Sequence, residues 1–357
     1  MFDFKGLLIR SMTSPSDRGI PFFQVSTDDV SAEMAFAAFK QSVQDVFAIS
    51  RRSDDDYRLD LIAWHLGTIM LGTFRSSALA FDRSPALVAS SGLDHFLVQL
   101  YVEGGFTGVA GDRPVTVGGG DIVIFDLAQT LQTQANDFSN ITLLIPRAFF
   151  DPTNGRIDGL HGLVLPAGGA ITGMLASYMI ALAERTTALG ADEADVAAKS
   201  TVALITNLLS ASNRQNLSTA TFTPSPISRL TTEIDRRLRD PDLDADMLAA
   251  SLGMSRASLY RAFDTMGGIA DYIRRRRLTI AAMALTIPEN RRRKISEIAF
   301  ECGFSSESAF NRAFKAAFGM PPSQARAHNN LLWSWANNNV HPNASADFVR
   351  WMRMLRA

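Results

Sequence analysis

Two stretches in the C-terminal third of the chain share one grammar fifty residues apart, and this repeat constrains the fold more than any other feature. In Asp244–Phe263 (DADMLAASLGMSRASLYRAF) a first helix carries Leu248, Ala249 and Leu252 inward. Ala249 must be small where the next helix crosses it. Gly253 takes the turn, where a positive φ is open chiefly to glycine. Ser255 is a good N-cap for the second helix, which Leu259 and Phe263 pack down. From Ile295 the pattern returns as ISEIAFECGFSS, with Ala299 answering Ala249 and Gly303 answering Gly253. Phe310 and Phe314 lie one residue further from their glycine than Leu259 and Phe263 do, so the second turn is predicted to be one residue longer. Between the units, Ile269–Thr286 has a helical stripe of Leu278, Ala281, Ala282 and Leu285. A helix of that length is roughly 27 Å long, enough to hold two second helices near the ~34 Å spacing of successive major grooves.

Charge follows the same division. The 357-residue chain has a net charge of −1, but residues 226–328 carry +5, residues 1–225 carry −8 and residues 329–357 carry +2. A basic module attached to an acidic one implies that only the former approaches a polyanion. The basic runs Arg274–Arg277 and Arg291–Lys294 flank the two units and read either as solvated surface or as phosphate contacts. The single cysteine, Cys302, excludes a disulfide framework and a multi-cysteine zinc site and suits a reducing cytoplasm. It falls at the turn of the second unit, a packing position rather than a reactive one. No apolar run approaches the roughly 18–20 residues that span a bilayer. The N-terminal stretch has acidic Asp3 and no small-residue cleavage site, so it does not read as a signal peptide. A cytoplasmic protein with no membrane partner is expected.

Upstream, residues 1–25 read as a flexible arm, and an early helix is expected over Ala32–Ile49. From about Asp60 to Phe150 the pattern is β, punctuated by glycine-rich turns at hairpin spacing. Residues 95–102 have two alternating faces, Phe96/Val98/Leu100/Val102 and His95/Leu97/Gln99/Tyr101. Short strands with such turns favour a sandwich or small barrel. Trp64, Phe74, Phe96, Tyr101, Phe106 and Phe125 either pack its core or line a pocket. Gln99 and Tyr101 share a strand face and are the expected polar contacts to a small molecule. His65, His95 and His161 are too scattered for a metal site and read as surface or hydrogen-bonded core residues; no metal or other cofactor is expected. After Pro166 the period becomes helical. Ile171, Met174, Leu175, Tyr178, Met179 and Leu182 form one stripe, and a second helix over 192–211 follows Gly190, giving a hairpin that buries its apolar surface against the barrel or another subunit. Residues 213–226 read as a linker.

The stretch from about Ile227 to His328 resembles the DNA-binding domain of the AraC/XylS family of transcription regulators. The resemblance rests on LGMSRASLYRAF, ISEIAFECGFSS and, most diagnostically, the closing FNRAFKAAFGMPPS that ends at Ser323. Gly92–Leu127 resembles, more loosely, the family's cupin-like sensor domain. The fold implied is two-domain α+β: a cupin-like β-barrel with a helical hairpin over 26–212, a linker over 213–226, an all-α double helix-turn-helix domain over 227–328, and an extension over 329–357 with no assigned role. The resemblance places DNA contacts on Ala257, Tyr260 and Arg261 of one unit and on Glu307, Ser308, Asn311 and Arg312 of the other; Arg256 joins the first set as a further outward position of its helix, facing the major groove. Arg261 and Arg312 suit guanine O6/N7 or phosphate, Glu307 a cytosine amino group, and Ala257 at most a thymine methyl. It further implies an effector-responsive activator with promoter DNA, RNA polymerase and a small organic effector as partners, and a homodimer formed through the 171–211 hairpin.

Two other function classes set against that reading are a DNA-binding protein whose β domain only dimerises, and an enzyme. No Ser/His/Asp set, metal cluster or reactive thiol supports catalysis, so no catalytic residue is expected.

Overall fold

The two faces of residues 95–102 are both interior. In a computed structural model, which describes residues 20–52, 57–91, 93–149, 160–216, 226–264, 267–286, 290, 292–318 and 320–327, residues 96–102 belong to the strand β6 below and His95 immediately precedes it. The N-terminal domain runs β1 (Phe22–Ser26), α1 (Ala32–Ser42), β2 (Ala48–Arg51), β3 (Leu59–His65), β4 (Met70–Ser76), β5 (Leu79–Arg83), α2 (Pro85–Ser91), β6 (Phe96–Glu103), β7 (Phe106–Ala110), β8 (Arg113–Val117), β9 (Ile122–Asp126), β10 (Leu131–Ala135), β11 (Phe138–Ile145) and β12 (Leu163–Leu165). Two antiparallel sheets face each other, one in the order β1-β3-β4-β11-β6-β9-β12 and the other β2-β5-β10-β7-β8. One core fills the space between the sheets and includes Leu97, Tyr101, Phe106, Phe125 and Phe138. A second core lies on the outer face of the larger sheet, where α3 (Ala170–Arg185) and α4 (Ala191–Asn216) cover Phe96, Val98, Leu100, Ile122 and Ile124. A sheet buried on both faces shows no polar stripe. This is the expected cupin-like domain with a helical hairpin, its strands forming two facing sheets rather than a closed barrel.

Several boundaries differ from the sequence expectations. The arm read through residue 25 enters the sheet at Phe22, because β1 pairs with β3 in register and Phe23 is buried. The early helix stops at Ser42, whose hydroxyl donates back to the Phe39 carbonyl (2.7 Å); residues 48–51 instead pair with β5. Four residues are too few to display an alternation. α4 continues to Asn216, into the predicted linker, and α5 (Pro226–Arg237) opens on its last residue, with proline at the first helical position where its missing N–H is harmless. The rest of that linker and the 329–357 extension lie outside the described residues. The hairpin stripe packs on the sheet through Leu175, Met179 and Leu182, while Met174 and Val196 stay exposed.

Arg83 shows how a charge is accommodated between the layers. All five of its N–H donors are used: Nε to the Leu127 carbonyl (2.8 Å), Nη1 to the Asp45 (3.1 Å) and Val46 (2.8 Å) carbonyls, and Nη2 to Ser91 Oγ (3.0 Å) and the Leu93 carbonyl (3.2 Å). It staples the turn after α1 to the loops that follow β9 and α2.

The three histidines are buried, so the surface alternative is corrected. His161 Nδ1 accepts the Asp126 N–H (3.1 Å) and His65 Nδ1 accepts the Gly67 N–H (3.2 Å). Burial pushes the His65 pKa down to about 4. The unfolded chain takes up that proton near pH 6.5, so this contribution to stability is complete above pH 6.5 and is lost as the pH falls toward 4. The loss amounts to roughly 3 kcal/mol. Urea midpoints measured across that range should drop for the native protein and stay flatter for His65→Asn, which keeps an acceptor for Gly67. An equal slope in the variant would assign the acid sensitivity elsewhere.

Candidate nucleic-acid interface

The C-terminal domain continues from α5 through α6 (Ala245–Leu252), α7 (Arg256–Asp264), α8 (Ile269–Thr286), α9 (Ile295–Glu301), α10 (Glu307–Phe318) and α11 (Pro322–Ala327). Both units form as the repeat predicts. Asp244 caps α6 by accepting the Met247 N–H (2.8 Å), and Gly253 turns at φ 61°. Ser255 Oγ accepts the Ser258 N–H (3.2 Å) at the start of α7. In the second unit Gly303 turns at φ 82°, and a Cβ there would lie 2.6 Å from the Leu238 carbonyl oxygen, so glycine is required by space as well as by conformation. Ser306 Oγ accepts the Ala309 N–H (3.2 Å), which starts α10 one residue later after its glycine than α7 starts after its own.

α8 is shared between two separate cores. Its first half, Ile269, Tyr272 and Ile273, packs with Leu248, Ala249, Leu259 and Phe263; its second half, Leu278, Ala281 and Leu285, packs with Ile298, Ala299, Phe310 and Phe314. Ile280 touches both. Cys302 belongs to the second core, and burial pushes its thiol up to about 11, which keeps it unreactive.

Ala257, Tyr260 and Arg261 are exposed on α7, as are Glu307, Ser308 and Arg312 on α10, with Asn311 half-buried. Tyr260 and Arg312 border one open groove between the units, together with Arg274. Arg256 is exposed but engaged in an ion pair with Asp246 of α6. The basic run 274–277 is not a uniform solvated face. Arg276 is buried and ion-paired to Asp235 of α5 (2.8 Å), and Arg277 Nε donates to the Leu238 carbonyl (2.9 Å). Arg274 is exposed and paired with Asp271. In the second run Arg293 pairs with Glu301, while Arg292 and Lys294 are exposed and Arg291 lies outside the described residues.

The structure adds a site that the sequence reading missed, a buried charge cluster between the two domains. Tyr272 of α8 donates its hydroxyl to Asp94 Oδ2 (2.8 Å), just ahead of β6. Arg147, fully buried, pairs with Asp126 at the end of β9 and donates from Nε to the Asp94 carbonyl (3.2 Å), while its guanidinium sits 4.5 Å from the Phe96 ring centroid. Burial alone would raise the Asp94 pKa, but Arg276, Arg147 and His95 outweigh it and hold the carboxyl below its usual range. Burial would likewise lower Arg276, and Asp235, Tyr272 and Asp94 outweigh it. α2 lies against α7, so the β domain contacts the first unit and the first half of α8. The legible signal was phase: Ile269, Tyr272, Ile273 and Arg276 fall at i, i+3, i+4 and i+7, one helix face.

Between the two sheets lies a cavity of about 130 Å³. Gln99 and Tyr101 line it, with Phe74, Phe106 and Phe125 of the six aromatics singled out; Trp64 and Phe96 pack instead in the core under α3 and α4.

Comparison with known proteins agrees with this geometry. Residues 248–328 match a family described as "Helix-turn-helix domain" and residues 37–210 one described as "AraC-binding-like domain". Regulatory protein SoxS of Escherichia coli (strain K12) is 38% identical over 95 residues, covering 26% of this chain and 85% of SoxS. Transcriptional activator NphR of Rhodococcus sp is 23% identical over 267 residues, 73% of this chain and 78% of NphR. The crystal structure of the AraC-like transcriptional activator CuxR shares the fold with a TM-score of 0.56 at 22% identity, over 72% of this chain and 94% of that one. Two consecutive helix-turn-helix units on one shared helix, behind an AraC-binding-like β domain, make this chain a member of the AraC/XylS family of DNA-binding transcription regulators.

Proposed function

We propose that this regulator activates transcription in response to a small organic effector held in the β domain, and that it does so as a homodimer on promoter DNA with RNA polymerase as its partner. NphR and CuxR, named as activators, favour that sign of control. Met174 and Val196 on the outer helices offer exposed apolar surface for a second copy.

One observation carries the effector reading. β6 and β9 line the cavity through Leu97, Gln99, Tyr101 and Phe125, and the acids next to them, Asp94 and Asp126, are those that hold Arg147 and, through Asp94, Tyr272 of the DNA-binding domain. A guest that shifts Leu97 or Phe125 changes the footing of α8 and the first unit while the second unit stays outside the clamp. Occupancy then becomes an altered distance between the two recognition helices, provided the guest binds the two arrangements unequally.

DNA contacts are assigned to Ala257, Tyr260 and Arg261 on α7 and to Glu307, Ser308, Asn311 and Arg312 on α10. Arg256, exposed at the start of α7 and paired with Asp246, is assigned with them as a contact that exchanges this carboxylate for a backbone phosphate. One protomer then reads an asymmetric site across two adjacent major grooves. Arg261→Ala should weaken operator binding by about 1–3 kcal/mol and relax base preference in one half-site if it reads guanine; if it grips phosphate, the salt slope should fall by about one with no change in preference. A variant with unchanged affinity, preference and slope would remove Arg261 from the interface. Genome-wide footprinting with candidate metabolites present and absent tests the effector: indifference of both binding and transcription would leave a β domain that only dimerises.

A further inference from the structure

The cavity specifies the charge of its guest. Among the described residues lining it there is no Asp, Glu, Lys, Arg or His. Its wall is mostly aliphatic and aromatic, and the turn after α1 contributes Val43, Val46 and Phe47 to it. The polar groups are gathered largely on one patch where β6 pairs with β11, Gln99 opposite Thr142 and Tyr101 opposite Asn140. They also bond one another. Gln99 Nε2 donates to Thr142 Oγ1 (3.0 Å), Thr142 Oγ1 donates to Asn140 Oδ1 (3.2 Å), and Asn140 shares a hydrogen bond with the Tyr101 hydroxyl. Burial pushes the Tyr101 phenol up, so it stays neutral and offers no anion to a cationic guest.

Resting on the effector reading above, we infer that the ligand class is an uncharged, largely apolar molecule the size of one aromatic ring or a six-carbon chain, bearing a single hydroxyl, carbonyl or amide group. Size follows from volume: a cavity of roughly 150 Å³ lined by apolar side chains accommodates benzene. Charge follows from the lining, since a carboxylate or ammonium placed there would lose its hydration with no opposite charge to meet it. The single polar group follows from the patch. Gln99 is half-buried, and an amide that donates one N–H to Thr142 still carries a second N–H and a carbonyl acceptor for a guest. An apolar guest with one such group satisfies the patch without leaving a second polar atom unpaired.

The test is calorimetric titration and thermal unfolding of the full-length protein at pH 7 with benzyl alcohol, benzamide, hexanol, toluene, benzoate, hexanoate and benzylamine. The three neutral polar compounds should bind and raise Tm, with the charged ones at least ~30-fold weaker. Gln99→Leu should weaken benzyl alcohol about tenfold while leaving toluene unchanged, a split that general loosening of the domain would not produce. Benzoate or hexanoate binding as tightly as its neutral counterpart would overturn the class. Ala63→Leu, which fills the cavity, separates the two readings. If it blocks regulation in cells and the anions bind, only the ligand class falls. If it regulates normally and no compound of either kind binds, the effector reading falls and takes the class with it.

Discussion

Arg147→Met is expected to cost about 3–5 kcal/mol of stability, because it strands buried carboxylates without their cation. Arg147 is 1% exposed and answers Asp126 directly and Asp94 through its carbonyl and charge. Methionine matches its apolar stem and leaves little void, so the loss reports the charge and not the volume. Urea unfolding at pH 7 measures it. Adding Asp126→Asn should return part of the loss by neutralising the stranded acid, whereas Asp126→Asn alone should destabilise. A cost below about 1 kcal/mol for Arg147→Met would mean that the cluster does not secure the domain contact. The same contact has a pH signature. Asp94, held below its ordinary pKa, contributes stability that is present above about pH 4 and lost as the pH falls through its folded value. This window lies below the one set by His65, so the two are separable.

Phe314→Ala is expected to cost about 3–5 kcal/mol and to erase one half of the DNA footprint. Phe314 is fully buried between Phe310 and Phe318, with ring centroids 5.3 and 4.4 Å away. Because the second unit has its own core, the damage should stay local: protection by α7 survives and protection by α10 disappears. Phe263→Ala, in the other core, should give the converse pattern. Loss of both halves from either substitution would show that α8 transmits unfolding from end to end, contrary to the division of its face at Ile280.

How much of this was legible in the sequence depended on range. The two turns were, because Gly253 and Gly303 mark them and the spacing to Phe263 and Phe314 sets their different lengths. The α8 helix was, through its stripe from Leu278 to Leu285. The early helix was overextended because Val46 and Phe47 continue an apolar pattern past Ser42, and β2 is too short to announce itself. The basic run 274–277 was read by composition, as surface or phosphate contact. In the structure Arg274 points out, whereas Arg276 is buried on the face that carries Tyr272.

The sequence by itself determined the repeat, the positions of its glycines and anchoring aromatics, and the pairing of Gln99 with Tyr101 on one strand face. These are local matters, fixed by helical and strand periods and by the backbone freedom of glycine. Only the tertiary structure decided that Asp94, Asp126, Arg147, Asp235, Tyr272 and Arg276 meet, since they come from segments up to 178 residues apart in the case of Tyr272 and Asp94. It also decided that the cavity between the sheets, as far as its lining is described, has no charge. Long-range charge pairing leaves no period in a sequence, and a cavity is defined by which side chains converge on it. The double helix-turn-helix could therefore be read from the chain, while its connection to the domain proposed to control it required the fold.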